Sequence, residues 1–170
     1  MFDSRVLGVD PGLRMLGVAV VARRDRRPEI VFADTVRTPS DMPEAARLRL
    51  IHEAIARLIG EHEPSSVGIE RVAWNTNQVS ALHVARATGV VLLAAAEAGL
   101  PVEEYGPLEV KMAVTGSGTA GKAEVRTALA RLHGLAEVPS QPDAADAVAV
   151  AICHLTQSRL RGAARAVALR

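Results

Sequence analysis

At 170 residues and 49% hydrophobic content, the chain has the size of one compact domain that can bury a core without disulfide or metal staples, which excludes disorder as its general state. Aromatic residues make up only 2%, so the core is expected to be aliphatic. The single cysteine, Cys153, excludes an intrachain disulfide and a cysteine-based zinc site and fits a reducing cytoplasm, while a formal net charge of +1 does not by itself argue for nucleic acid. No secretory signal is expected, because the first apolar run is short and broken by Asp10; the most apolar segment, residues 79–98, carries His83, Arg86 and Glu97 and makes a poor membrane span.

Val6, Leu7 and Val9 form a β-branched-rich run expected to be a buried strand, which Asp10-Pro11-Gly12 ends with strong turn chemistry. Residues 16–22 and 29–38 read as two further strands joined by a charged turn, and such short connections favour antiparallel pairing. The period then changes. Ser40 or Asp41 is expected to cap a helix with Pro43 in its first turn, Leu48, Ile51, Ile55, Leu58 and Ile59 forming its apolar face and Pro64 ending it. Residues 65–70 read as a fourth strand and 71–78 as a polar loop carrying Trp74, Asn75 and Asn77. The helix expected over 79–98 is apolar all round from 90 to 96, so it needs cover on more than one side, from the monomer's own core or from a second subunit. A fifth strand at 102–105, a helical turn at 107–114 and a glycine-rich loop at 116–121 lead to a helix over 122–133. Pro139 and Pro142 bracket a turn, and Asp143 opens a last helix running to about residue 158. Residues 159–170, rich in arginine, read as a frayed helix end or a basic arm, so the expected organisation is one domain over 1–158 and a basic tail over 159–170. Three antiparallel strands followed by two that alternate with helices describe an α/β domain with a mixed five-stranded sheet flanked by helices.

Four acids stand where chemistry needs them. Asp10 and Glu70 each end an apolar strand, and Asp143 and Asp146 lie three apart at a helix start, so they share a face. Brought to one rim, four carboxylates repel one another unless cations neutralise them, and oxygen ligands without Cys or His suit Mg²⁺ or Mn²⁺. Taken singly, each has an ordinary explanation: a turn Asp, a strand-end Glu beside Arg71, a helix N-terminus favouring negative charge. The stretch from Gly116 to Lys122 matches the spacing of a phosphate loop but carries Ala123 where a hydroxyl should follow; capping a helix and contacting nucleic-acid phosphate through Lys122 are the other two readings. Trp74 has two readings, a core residue or, since it lies in a polar loop just past Glu70, an exposed indole that stacks on an unpaired base. His52, His83 and His154 fall on helices and are expected to be packing or surface residues.

Five stretches, in order, carry a family likeness: LGVDPGLRMLGVAV, VGIERV, ALHVARATGVVLLAAAEAGLPVEEY, EVKMAVTGSGTAGKAEV and QPDAADAVAVAICHL. The chain resembles the RuvC family of bacterial Holliday-junction resolvases from about residue 5 to residue 155. The resemblance implies a ribonuclease H-like fold and a cytoplasmic, homodimeric endonuclease that cuts two like-polarity strands of a four-way DNA junction in recombination and repair. It implies two Mg²⁺ ions per site, with Mn²⁺ able to substitute, held by Asp10, Glu70, Asp143 and Asp146, with Asp10 bridging. By the same resemblance Lys111 and Lys122 act near the DNA, Lys122 stabilising developing phosphate charge, the helix over 79–98 makes the dimer, and the RuvA and RuvB branch-migration proteins are partners. The family commonly has an aromatic residue three positions after the second carboxylate; here that position is Ala73, and the neighbouring Trp74 is expected to take the role, with Arg71 and Asn75 as further DNA contacts. Rival readings are another ribonuclease H-like nuclease acting on RNA-DNA hybrids and a junction-binding protein without catalysis.

Overall fold

The computed structural model describes residues 4–25, 27–72 and 78–168, with side chains described as far as Gln157. Strands β1 (Arg5–Asp10), β2 (Met15–Arg24) and β3 (Arg27–Arg37) are followed by α1 (Glu44–His62), β4 (Ser66–Glu70), α2 (Gln78–Glu97), β5 (Val102–Tyr105), α3 (Pro107–Thr115), α4 (Lys122–Arg131) and α5 (Pro142–Ala168). They build one mixed sheet of order β3-β2-β1-β4-β5. The first three strands are antiparallel neighbours, whereas β1 with β4 and β4 with β5 run parallel.

Period-two alternation divides each strand between the two faces of the sheet. Leu7, Val9, Leu16, Val18, Val20, Val67 and Ile69 join Ile51, Ile55 and Leu58 of α1 and Ala87, Val91, Ala94 and Ala95 of α2 in one apolar cluster. The other face carries Val6, Ala19, Val21 and Tyr105 under α3, α4 and α5. It is lined with small residues because α5 lies close against it. A Cβ added to Gly17 would strike the Asp143 carbonyl, one on Gly8 the Ala147 carbonyl, and one on Gly68 would sit 2.9 Å from the His154 Cβ. Asp143, Ala147, Ala151 and His154 form a single helical stripe, so α5 crosses diagonally from β2 over β1 to β4. His154 locks the far end. Its Nδ1 is 2.8 Å from the Tyr105 hydroxyl and its Nε2 is 2.8 Å from Ser66 Oγ, so this histidine is a buried packing residue as expected.

Several boundaries differ from the sequence expectation. Strands β2 and β3 run longer, because the left-handed Asp25 (φ 49°) tightens the connection between them. The first residue of α1 is preceded by Pro43 in extended conformation with no side-chain cap, so neither Ser40 nor Asp41 fills that role. The α4 helix ends at Arg131, where the Leu132 and His133 amides both close onto the Ala128 carbonyl. The backbone of α5 is helical to Ala168 and includes most of the expected basic tail.

Helix α2 is long and apolar enough to cross a membrane by length and composition, yet it packs on α1. Arg86 reaches Glu44 at 2.7 Å and Glu97 reaches His52 at 2.7 Å across that contact. The monomer covers only one side of it, leaving Val79, Leu82 and Leu93 exposed.

Candidate active site

Asp10 and Glu70 reach one another through register. Gly8 pairs with Gly68 and Val9 with Ile69 in the parallel ladder, so the next residue of each strand is an acid at the same edge. Both acids lie two residues beyond a glycine and therefore point to the α5 face. Asp10 is also opposite Gly17 in the β1–β2 ladder, and Gly17 is where the Asp143 backbone sits down on the sheet. The first turn of α5 thereby reaches Asp10, and Asp146, one turn on, faces the same space.

Two lysines arrive from the helices that follow the sheet. Each helix start is fixed by a carboxylate that accepts the preceding glycine amide: Glu109 from Gly106 at 2.7 Å before α3, and Glu124 from Gly121 at 2.6 Å before α4. Lys122, the first residue of α4, donates from Nζ to Asp146 Oδ2 at 2.8 Å. Lys111 on α3 lies near enough to act on Glu70.

The electrostatics follow from this crowding. Burial first, and then the charges of Glu70, Asp146 and Asp143, push the Asp10 carboxyl up to about 8, with Lys122 opposing. Burial and the Asp146 charge also raise Glu70, against Lys122 and Lys111. The hydrogen bond to Asp146 heads the causes that raise Lys122, with Asp10 and Asp143 adding to it and desolvation opposing. The rim is therefore short of positive charge. Among the described residues no three acid, histidine or cysteine side chains close into a finished coordination cage. Lys122 holds one Asp146 oxygen in its place. An all-oxygen donor set that repels itself is nonetheless the chemistry that hard divalent cations satisfy.

Of the other expected site residues, Arg71 turns its guanidinium to the Glu104 carbonyl at 3.2 Å, while its amide donates to Tyr105. Ala73, Trp74 and Asn75 lie outside the described residues. The stretch 116–121 joins two helices: Gly116 (φ 78°) ends α3 in the left-handed conformation that favours glycine, and Gly121 precedes α4. A phosphate loop needs a strand before it, so the nucleotide reading fails. Ser66 and Tyr105, which clamp α5 through His154, were not expected from sequence. The signal for the strand pair was visible: Leu7-Gly8-Val9-Asp10 and Val67-Gly68-Ile69-Glu70 repeat one pattern of apolar, glycine, apolar, acid.

A ribonuclease H-like sheet with acids gathered where its central parallel strands finish defines the class: a nuclease that works on the phosphodiester backbone. Residues 6–154 match the family described as crossover junction endodeoxyribonuclease RuvC. The chain belongs to the RuvC family. It is 48% identical over 151 residues to the crossover junction endodeoxyribonuclease RuvC of Leifsonia xyli, covering 88% of this chain and 73% of the relative. To the protein of the same description from Salinispora arenicola it is 46% identical over 165 residues, covering 94% of each. The solved structure of T. thermophilus RuvC in complex with Holliday junction substrate superposes with a TM-score of 0.86 at 35% identity, over 92% of this chain and 96% of that one.

Proposed function

We propose that this chain is a Mg²⁺-dependent endonuclease that resolves four-way DNA junctions by paired symmetrical nicks in strands of like polarity. The observation that carries this reading is the convergence of Asp10, Glu70, Asp143 and Asp146 with Lys122 at one sheet rim in a chain of the RuvC family.

Asp10, Glu70, Asp143 and Asp146 would hold the metal, with Asp10 central because each of the other three acts on its charge. When bound, the ions activate water and neutralise charge that builds on the scissile phosphate. The protein's own residues do the rest. Asp10, whose carboxyl burial and like charge push up to about 8, would be ionised by a neighbouring cation and so serve as its ligand. Lys122, which donates to Asp146 Oδ2 at 2.8 Å, would hold its ammonium beside the scissile phosphate and stabilise charge developing on a non-bridging oxygen. Lys111, beside Glu70, positions the backbone next to the cut. Trp74, Arg71 and Asn75 follow Glu70 directly in sequence, and we assign them to DNA near the crossover.

Two symmetrical cuts need two sites, which we place in a homodimer joined through α2; the exposed Val79, Leu82 and Leu93 support that face. We further propose a cytoplasmic protein that acts with RuvA and RuvB, with residues 1–158 as the nuclease domain and 159–170 as a basic tail. Incubating a mobile synthetic junction with the protein and Mg²⁺, then mapping both nick positions, tests the reading. Paired symmetrical nicks are expected. Preferential cutting of an RNA-DNA hybrid, or junction binding without any cut, would overturn it.

A further inference from the structure

Helix α3 buries Val110 and Val114 and turns Leu108 and Met112, one turn apart, outward to solvent. Leu108 is 68% exposed and Met112 54%, although both are large apolar side chains. The pair is supported from behind rather than loose. Gly118, in the loop between α3 and α4, backs onto it: a Cβ there would lie 3.8 Å from Leu108 Cδ2 and 3.9 Å from Met112 Cε. Lys111, between the two in sequence, acts on Glu70, and the same loop leads into Lys122 on Asp146. An apolar ridge therefore borders the carboxylate rim, flanked by the two cations that act on Glu70 and Asp146.

The aliphatic composition bears on what covers this ridge. Tyr105 is fully buried and Phe32 packs against His62 with ring centroids 5.1 Å apart, so of the described residues bordering the site it is Leu108 and Met112 that offer apolar surface to a nucleobase, beside whatever Trp74 contributes. Leucine and methionine insert between or against unstacked bases in other DNA-bending proteins, and a thioether makes favourable contacts with aromatic rings. The lysines supply the phosphate contacts that must accompany such an apolar one.

We propose that Leu108 and Met112 form an apolar wedge that lies against bases unpaired at the crossover, while Lys111 and Lys122 hold the adjoining phosphates. This rests on the junction-resolving reading above. The wedge contributes by holding bases open, so a substrate whose bases are already unpaired does not need it.

The test is single-turnover cleavage by the wild type and by Leu108→Gln/Met112→Gln, with Mg²⁺, on two junctions. One is fully paired and the other carries mismatches at the crossing; 2-aminopurine at the crossing reports unstacking. The double variant is expected to cut the paired junction about ten-fold more slowly and the mismatched one within about two-fold of wild type, with a smaller 2-aminopurine rise. Equal loss on both substrates, no loss on either, or a changed sedimentation coefficient in place of a substrate-dependent loss overturns the wedge and leaves the resolvase reading standing. The last outcome would assign the ridge to a second copy of the chain. A wild-type protein that cuts neither junction removes both readings. Unchanged thermal melting of the variant confirms that it folds.

Discussion

The two faces of the sheet are built by different rules. Under α1 and α2 the sheet presents Leu, Ile and Val side chains of ordinary size, met by Ile51, Ile55 and Leu58 of α1 and by Ala87, Val91, Ala94 and Ala95 of α2, and these contacts bury apolar area without dictating position to a fraction of an ångström. Under α5 the contact is made by backbone and small residues: Gly8, Gly17 and Gly68 against Asp143, Ala147, Ala151 and His154. The close-packed face is the one that carries Asp10, Glu70, Asp143 and Asp146. Carboxylates that repel one another have to be held, and a helix seated directly on the sheet backbone has no side-chain cushion through which to drift. The bulk-packed face contributes stability, and on its outer surface, along α2, Val79, Leu82 and Leu93 are exposed.

The largest effect expected is at the close-packed face. Asp10→Asn should reduce junction cleavage to background while a gel-shift assay shows binding retained; cleavage at the wild-type rate would remove Asp10 from the metal site. Next come two substitutions that separate the faces. Ile55→Ala should cost about 2–5 kcal/mol in urea unfolding, yet the folded protein should cut within about three-fold of wild type. Gly17→Ala should cost about 3 kcal/mol, because its Cβ strikes the Asp143 carbonyl, and should also slow cleavage by the folded fraction by about ten-fold or more. If both variants lose activity only in proportion to stability, the contrast between the faces is wrong.

A smaller effect concerns pH. Asp10 sits at about 8 in the folded protein against an ordinary 3.8, so between those values the folded state holds a proton that the unfolded chain has released. Stability of the metal-free protein should therefore fall as pH rises from about 4 to about 8, and Asp10→Asn should flatten that slope in melting curves. Mg²⁺ added at pH 8 should restore part of the lost Tm in wild type and less in the variant. The smallest change in monomer stability is expected from Leu93→Asp on α2, an exposed position; sedimentation should nevertheless shift toward the monomer. A dimer that survives unchanged places the subunit contact elsewhere.

Element types and order, the strand-end acids and the acidic start of α5 could be read from local signals, because alternation, turn residues and helix period are properties of neighbouring residues. The cap of α1 could not be read this way. Ser40 and Asp41 have the right chemistry, but the chain enters the helix through Pro43 after turning at Pro39. Nor could the glycine-rich loop be settled by its spacing, since the element in front of it is a helix and not a strand.

By itself, the sequence determined an aliphatic five-stranded α/β domain, four acids at element ends and the family to which they belong, since each of these rests on composition, period or motif. What tertiary structure alone decided is how the acids meet. The β1–β4 register sets Asp10 beside Glu70, three glycines on three different strands let α5 lie against the sheet, and Lys122 reaches Asp146 across 24 positions of chain. Those are relations between residues remote in sequence, and only strand pairing and the packing of α5 on the sheet fix them.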